Sequence, residues 1–537
     1  MPGVALADHD FRSIPDLIRT HATTQPKASA LVDGHSRLDY AALDRLMDRI
    51  AAALQREGLQ PGDAIAICAQ SCARYVAVFL GALRAGAVVA PLAPSVTPAN
   101  FQTMLADAGA RWLFIDAVAT PLLAGHEAAV RCIALEVEES PQDAAACCAT
   151  SPASLVSFEA WLAGSPGRVD PDAVAMPTPV AIQPQWPFNI IYSSGTTGTP
   201  KGIVQPHTMR WTQANRLNFH YEPGSVALIA TPLYSNTTLV VLFPTLVHGG
   251  SVVLMAKFDA AGYLKLAEQH RATHTMLVPV QYQRLMALPT FDDHDLSAFV
   301  LKFCTSAPFA ATLKADVLRR WPGGLIEFYG MTEGGGTCIL LAHEHPDKLH
   351  TVGQPAAGHD IRLIDEAARE VAPGEAGEVV GHSPTMMVGY HGQPAKTREA
   401  EWHDPEGKRF IRTGDVGRFD QDGFLVLLDR RKDLIISGGF NIYPSDLEAV
   451  LRSHPDVSDA AVVGAPSQRW GETPVGFVVV GSTQDVGAIL QWANQRLGKT
   501  QRLASLHAVA ELPRSAIGKV LKRELRDAWQ ARWLPPG

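Results

Sequence analysis

The sequence predicts an α/β protein: a large N-terminal part of several subdomains with parallel-type sheets, then a small α+β module at the C-terminal end. Three observations predict it. Short apolar runs alternate with helical periods along the first ninety or so residues, as β-α units do. At 537 residues the chain exceeds what one core of about 150 residues holds. From Leu434 onward the pattern restarts as a separate compact unit.

The elements follow in order. Residues 37–58 read as a helix that Asp39 can cap, with Leu43, Leu46, Ile50 and Leu54 at helical spacing and Gly58 ending it. Ala64–Cys68 reads as a buried strand, 75–86 as a second helix and Ala87–Leu92 as another strand. Residues 137–187 are rich in Ala, Pro, Ser and Asp with little periodicity, which predicts a surface excursion. Phe188–Tyr192 resumes the pattern as a strand running into a Gly/Thr-rich loop. Leu239–Val247 is the longest apolar run; it is too short to span a bilayer, contains Pro244 and reads as buried core. In the C-terminal module, 445–453 and 485–497 read as helices, and Ala460–Val463 and Val475–Val480 as strands.

Composition narrows the classes. The apolar share of 47% and charged share of 19% are those of a globular protein, and a net charge of −8 argues against a general nucleic-acid binder. It leaves room for a locally basic site. Seven cysteines at non-repeating spacings argue against a zinc site and fit a reducing, cytoplasmic setting. The first twelve residues lack an apolar h-region, so no signal peptide is expected.

Ser193-Ser-Gly-Thr-Thr-Gly-Thr-Pro-Lys-Gly202 is the most informative stretch. Gly195, Gly198 and Gly202 permit close backbone approach, so successive N–H groups can cradle phosphate oxygens. The hydroxyls of Ser193, Ser194, Thr196, Thr197 and Thr199 add donors, and Lys201 adds charge. A bland surface turn would not need five hydroxyls and a lysine directly after a buried strand. The loop is not a P-loop: Pro200 stands where glycine is needed, and Gly202 where the magnesium-binding hydroxyl belongs.

With four further stretches, the loop resembles the adenylate-forming superfamily of acyl- and aryl-CoA synthetases, peptide-synthetase adenylation domains and beetle luciferases. Those stretches are Phe328–Glu333, Arg412–Asp415, Asp429–Asp433 with Ser437–Asn441, and Pro513–Lys519. The chain looks most like a free-standing acid–CoA ligase.

The resemblance implies ATP, Mg2+ and CoA as cofactors and co-substrates. It implies an N-terminal domain over 1–429 that binds ATP and acid, a hinge at 430–433 around Lys432, and a mobile C-terminal domain over 434–537. Ser193, Ser194, Gly195, Thr196, Thr197, Gly198 and Lys201 would hold phosphates. Tyr329 and Gly330 would border adenine, Thr332 the α-phosphate, and Asp415 and Arg430 the ribose. Glu333 would hold magnesium, for which one carboxylate with phosphates and water suffices. Lys519 would bridge the substrate carboxylate and the α-phosphate, relieving the repulsion between two anions. Ser437, Gly438 and Gly439 would line the pantetheine passage. Tyr234, Ala307, Gly330 and Gly334 would border the acyl group. The glycines Gly334–Gly336 would leave room for a bulky acid, aliphatic or aromatic.

Two departures stand out. Ser235 replaces a histidine common after the aromatic at 234, and Ser306-Ala307 replaces a glycine-rich turn. The partners expected are therefore an acid, ATP and CoA, without nucleic acid or a transmembrane segment, and with a homodimer left open. The alternatives are loading of an acyl-carrier protein or a nucleotide-binding pseudoenzyme; retention of Lys201, Glu333, Asp415 and Lys519 argues against the latter.

Overall fold

The structure is a computed structural model that describes residues 11–123, 130–135, 155–164, 176–193, 200–215, 219–437, 440–467, 469–481, 485–498, 501–515 and 518–533. Among these, four sheets organise the fold.

The first sheet has nine strands. Its parallel centre runs Gly324–Gly330, Leu301–Cys304, His274–Leu277, Val226–Ile229, Ser251–Leu254 and Ser29–Val32 from side to side. Antiparallel strands close both margins, Thr337–Leu341 with Gln354–Pro355 on one and Arg37–Asp39 on the other. The second sheet has eight strands, with a parallel run through Pro187–Ser193, Val88–Pro91, Ala64–Cys68, Trp112–Ile115, Arg131–Ala134 and Val156–Ser157. Ala64–Cys68, Val88–Pro91 and Trp112–Ile115 read as unbroken apolar runs, being buried along their whole length.

The two sheets share one core. Helices Tyr40–Arg56, Ala73–Arg84 and Asn236–Val247 pack with Leu31 and Ile229 of the first sheet and Ile65, Val89 and Phe114 of the second. Phe243 of the third helix meets Phe79 at 5.6 Å and Phe188 at 5.3 Å. The Leu239–Val247 run is thus buried core, as its composition predicts, and it is helical despite Pro244. The Tyr40 hydroxyl donates to the Gly250 carbonyl at 2.7 Å, tying the first helix to the loop beyond the third.

The third sheet adds antiparallel pairing to the N-terminal part, and the fourth is the mixed sheet of the expected α+β module. Asp360–Ile364, Gly377–His382, Arg409–Phe419, Glu401–His403 and Leu425–Arg430 form a wholly antiparallel sheet. In the fourth sheet only Ser505–Ala508 joins in parallel, beside Gly471–Val480; its partners there include Val457–Ser467 and Ile435–Ser437.

Two local readings also change. Residues 37–39 are a strand, because they pair with Ser29–Val32; the helix starts at Tyr40, with the Asp39 carboxylate accepting from the Ala42 N–H at 2.7 Å. The segment 137–187 is not all excursion. Val156–Ser157 adds the last strand of the second sheet, and Phe158 and Trp161 of the next helix are buried, Trp161 against Phe114 at 5.1 Å. Phe158, Trp161 and Leu162 stand at i, i+3 and i+4 and seat the helix, a period confined to six residues and so easily overlooked in the sequence.

Candidate functional site

Parallel α/β sheets gather ligands at the carboxyl ends of their strands. Here four adjacent parallel strands end at Ile229, Leu277, Cys304 and Gly330. The segments leaving them carry Tyr234–Thr237, Val278, Thr305–Pro308 and Met331–Glu333. Hydrogen bonds tie these segments together. Thr305 Oγ1 donates to the Phe328 carbonyl at 2.7 Å, and the Thr237 and Ser306 hydroxyls lie 2.7 Å apart. Gln281 Nε2 donates to the Ala230 carbonyl at 3.1 Å.

Asp415 and Arg430 are register partners on antiparallel strands, which sets them side by side. Arg430 Nε lies 3.1 Å from Asp415 Oδ1, and the Tyr329 hydroxyl donates to Oδ2 at 2.9 Å. Burial, then the nearby carboxylate, pushes the Tyr329 phenol far above its ordinary range, so it stays a donor. Both Asp415 oxygens are therefore engaged. A ligand offering two hydroxyls would share or displace these donors, since each oxygen accepts more than one bond.

Glu333 lies close by. Its Oε1 accepts from the Tyr390 hydroxyl at 2.9 Å, and its backbone carbonyl accepts from the Met387 N–H at 2.8 Å. Lys201 Nζ sits 4.9 Å from the centre of the same Tyr390 ring. Tyr390 is held there because Gly389–Tyr390 pairs with the strand that begins at Lys201. Sequence reasoning missed Tyr390; no local motif marks it, only its pairing. It brings together a lysine and a glutamate 132 positions apart in the chain, at 201 and 333.

Lys519 arrives from the C-terminal module. Ser515 and Lys519 close a tight turn, with the Ser515 N–H donating to the Lys519 carbonyl at 2.8 Å and Gly518 at φ +78°. A Cβ on Gly518 would stand 3.0 Å from Val280 Cγ1 of the large domain, so the turn lies directly against the helix Pro279–Met286. Burial, and after it Arg430, lowers the Lys519 ammonium while Asp415 and Glu333 pull it back up, leaving it at about pKa 8. Arg430, Asp415 and Glu333 thus each lie within electrostatic reach of Lys519.

Other expected residues sit apart or outside. Ser194, Gly195, Thr196, Thr197, Gly198, Gly438 and Gly439 lie outside the described residues, and Ser193 ends its strand just before them. Ser437 pairs with Phe440 and Gly471, within the C-terminal sheet. Lys432 lies in the single turn Arg431–Asp433, between the third and fourth sheets. Tyr234 reaches back to the Ser95 hydroxyl and lies near Cys68, at the carboxyl end of the second sheet. Ala307 follows Ser306, whose φ of +83° is one that glycine adopts without strain.

The idea that Gly334–Gly336 leaves room for a bulky acid is corrected. A Cβ on Gly335 would fall 2.5 Å from Ile411 Cβ, and one on Gly336 2.3 Å from Ile361 Cδ1. On Gly334 it would meet the Thr385 carbonyl at 2.8 Å. The glycines serve close packing against the third sheet, and their side-chain space is already filled.

Two family models match the chain: an AMP-binding enzyme model over residues 18–391 and an AMP-binding enzyme C-terminal domain model over 446–519. The chain belongs to the AMP-binding enzymes. This AMP-binding enzyme is 33% identical over 513 residues to a feruloyl-CoA synthase of an Amycolatopsis species, covering 94% of this chain and 96% of that one. It is 32% identical to the fatty acid–[acyl-carrier-protein] ligase ScoC of Streptomyces coeruleorubidus, over 94% of both. Among solved structures, the o-succinylbenzoate CoA synthetase of Bacillus subtilis bound to its acyl-adenylate superposes with a TM-score of 0.81 at 25% identity, covering 96% of this chain and 99% of that one. The enzyme is an ATP-dependent, AMP-forming acid–thiol ligase.

Proposed function

We propose that this enzyme joins an aromatic carboxylic acid to CoA through an acyl-adenylate. In the first half-reaction a carboxylate oxygen attacks the α-phosphorus of ATP, and diphosphate leaves. In the second the CoA sulfur attacks the acyl carbon, the thiol proton is released and AMP leaves. The single observation that carries the reading is Lys519: a lysine of the C-terminal module sits in the field of Glu333, Asp415 and Arg430 of the large domain.

The residues divide the work. Asp415, with Arg430 beside it, accepts ribose hydroxyls, and Tyr329 and Gly330 border the base. Lys201, Thr332 and the loop from Ser193 hold phosphates. Lys519 stands between carboxylate and α-phosphate, where its charge offsets the repulsion of two anions and follows the charge that develops. Glu333 fits a magnesium ion: Tyr390 orients its carboxylate through one oxygen, and a hard cation of this kind takes few protein ligands. Magnesium would supply charge neutralisation on the phosphates.

The division at 430–433 is supported by the change of sheet there, with Arg430 ending the third and Ile435 starting the fourth. Rotation about Lys432 would withdraw Lys519 and present Ser437, Gly438 and Gly439 to the thiol. Tyr234, Ala307 and Gly330 border the acid in this reading. Five described cysteines are free thiols, which fits a cytoplasmic enzyme; whether it works as a homodimer is a matter for sedimentation.

An aromatic acid is favoured by the feruloyl-CoA relative. A carrier-protein thiol is the second reading, favoured by the carrier-protein ligase relative at nearly equal identity. A panel of aryl and aliphatic acids, assayed for AMP release with CoA or with a phosphopantetheinylated carrier protein, separates them. Preference for aliphatic acids, or for the carrier protein, overturns the corresponding half of the proposal.

A further inference from the structure

A buried polar cluster lies behind the phosphate-side contacts. Arg210 is fully buried and donates to three amide oxygens. Its Nε donates to Asn189 Oδ1 at 3.2 Å, its Nη1 to Gln213 Oε1 at 2.9 Å, and its Nη2 to Gln205 Oε1. Asn189 Nδ2 also donates to Gln205 Oε1, at 3.0 Å. With that oxygen taken, the Gln205 amide nitrogen faces the other way. It donates to the Thr332 carbonyl at 2.6 Å and approaches Asn236 Oδ1 at 3.4 Å.

We infer that Arg210 and Gln205 form a positioning clamp for Thr332 and Glu333 during adenylation. The inference rests on the reading of those two residues as the phosphate-side contacts. Its physical basis is orientation. A guanidinium buried away from water demands oxygen acceptors, because an unsatisfied buried charge is costly. It therefore fixes which end of Gln205 points inward, and the fixed N–H group then holds the backbone of Thr332. Asn189 and Gln205 belong to the two paired strands that flank residues 194–199 in sequence. The clamp consequently ties Thr332 to the same pair of strands and, through Asn236, to the start of the helix Asn236–Val247. A structural role alone would require only that Arg210 be satisfied. A positioning role requires the donor at Gln205 Nε2.

Gln205→Glu separates these roles. It keeps the shape, offers Arg210 a carboxylate and so satisfies the buried charge, but it presents an oxygen to the Thr332 carbonyl. The variant should unfold at or above the wild-type temperature, and acid-dependent exchange of labelled diphosphate into ATP should lose about 10²-fold in kcat, the scale of a misplacement of about 1 Å. The double variant Gln205→Met with Arg210→Met removes the buried charge and the donor together, and exchange should fall similarly. Wild-type kcat in either folded variant, or loss of kcat strictly in step with loss of thermal stability, overturns the clamp. Glu333→Ala runs in the same assay. If it leaves exchange intact, the phosphate-site reading has failed; if it abolishes exchange while Gln205→Glu does not, only the clamp has failed.

Discussion

Lys519→Ala bears on the chemistry most directly. In the structure the ammonium lies in the combined field of two carboxylates, Glu333 and Asp415, and two cations, Arg430 and Lys432. Burial is the largest influence, and with these charges it leaves the pKa at about 8. Two functional consequences follow. Removing one preorganised charge from the developing transition state costs about 10²–10³-fold in rate, or about 2.7–4 kcal/mol. The loss should fall on acyl-AMP formation, measured by acid-dependent diphosphate exchange, while thioester formation from supplied acyl-AMP stays close to wild type. The group must also be protonated to act, so wild-type exchange at limiting ATP should decline as pH rises through about 8. Lys519→Arg should flatten that decline, because a guanidinium keeps its proton. Stability follows with its own sign. The folded pKa is lowered, so between about 8 and the ordinary 10.5 the unfolded chain binds more protons, and wild-type stability gains relative to Lys519→Ala as pH rises across that window. Equal loss in both half-reactions, or an unchanged alkaline decline in Lys519→Ala, would refute the reasoning.

Three further outcomes are expected. Lys432→Pro should slow one half-reaction far more than the other in single-turnover assays, whereas equal rates would rule out a hinge at that turn. Lys314→Met should cost about 3–5 kcal/mol in denaturant unfolding, because it leaves the buried Glu327 without its ion-pair partner and empties contacts to the Leu349 and Thr351 carbonyls. Adding Glu327→Leu should recover much of it. Ser306→Gly should relieve a left-handed backbone and raise stability by up to about 1–2 kcal/mol, less the hydroxyl contact with Thr237, as read by thermal melting.

The candidate site residues were nameable from sequence because they lie in short, contiguous motifs. Tyr329, Thr332 and Glu333 lie within five positions, and Lys519 follows a glycine whose φ of +78° the turn requires. The helix capped by Asp39 and the strand Ala64–Cys68 were legible for a similar reason: their signals are local, a capping oxygen in one case and an unbroken apolar run in the other. Gly334–Gly336 misled, since a sequence of small residues does not say whether the space beside them is empty or filled. Ile411 and Ile361 fill it, and both come from strands far along the chain.

By itself the sequence determined the class of chemistry, since the motifs by which it resembles the AMP-binding enzymes are short, ordered runs of particular residue types. The tertiary structure decided how those pieces meet. Tyr390 joins Lys201 to Glu333 only through a strand pairing, and Gln205 finds Thr332 only because Arg210 occupies its other face. The Gly518 turn of the C-terminal module lies against Val280, and Lys519 beside it feels the charge of Asp415. The physical reason is range. Propensity, capping and apolar period act over a few residues, whereas burial, register and charge act between residues that only the fold makes neighbours.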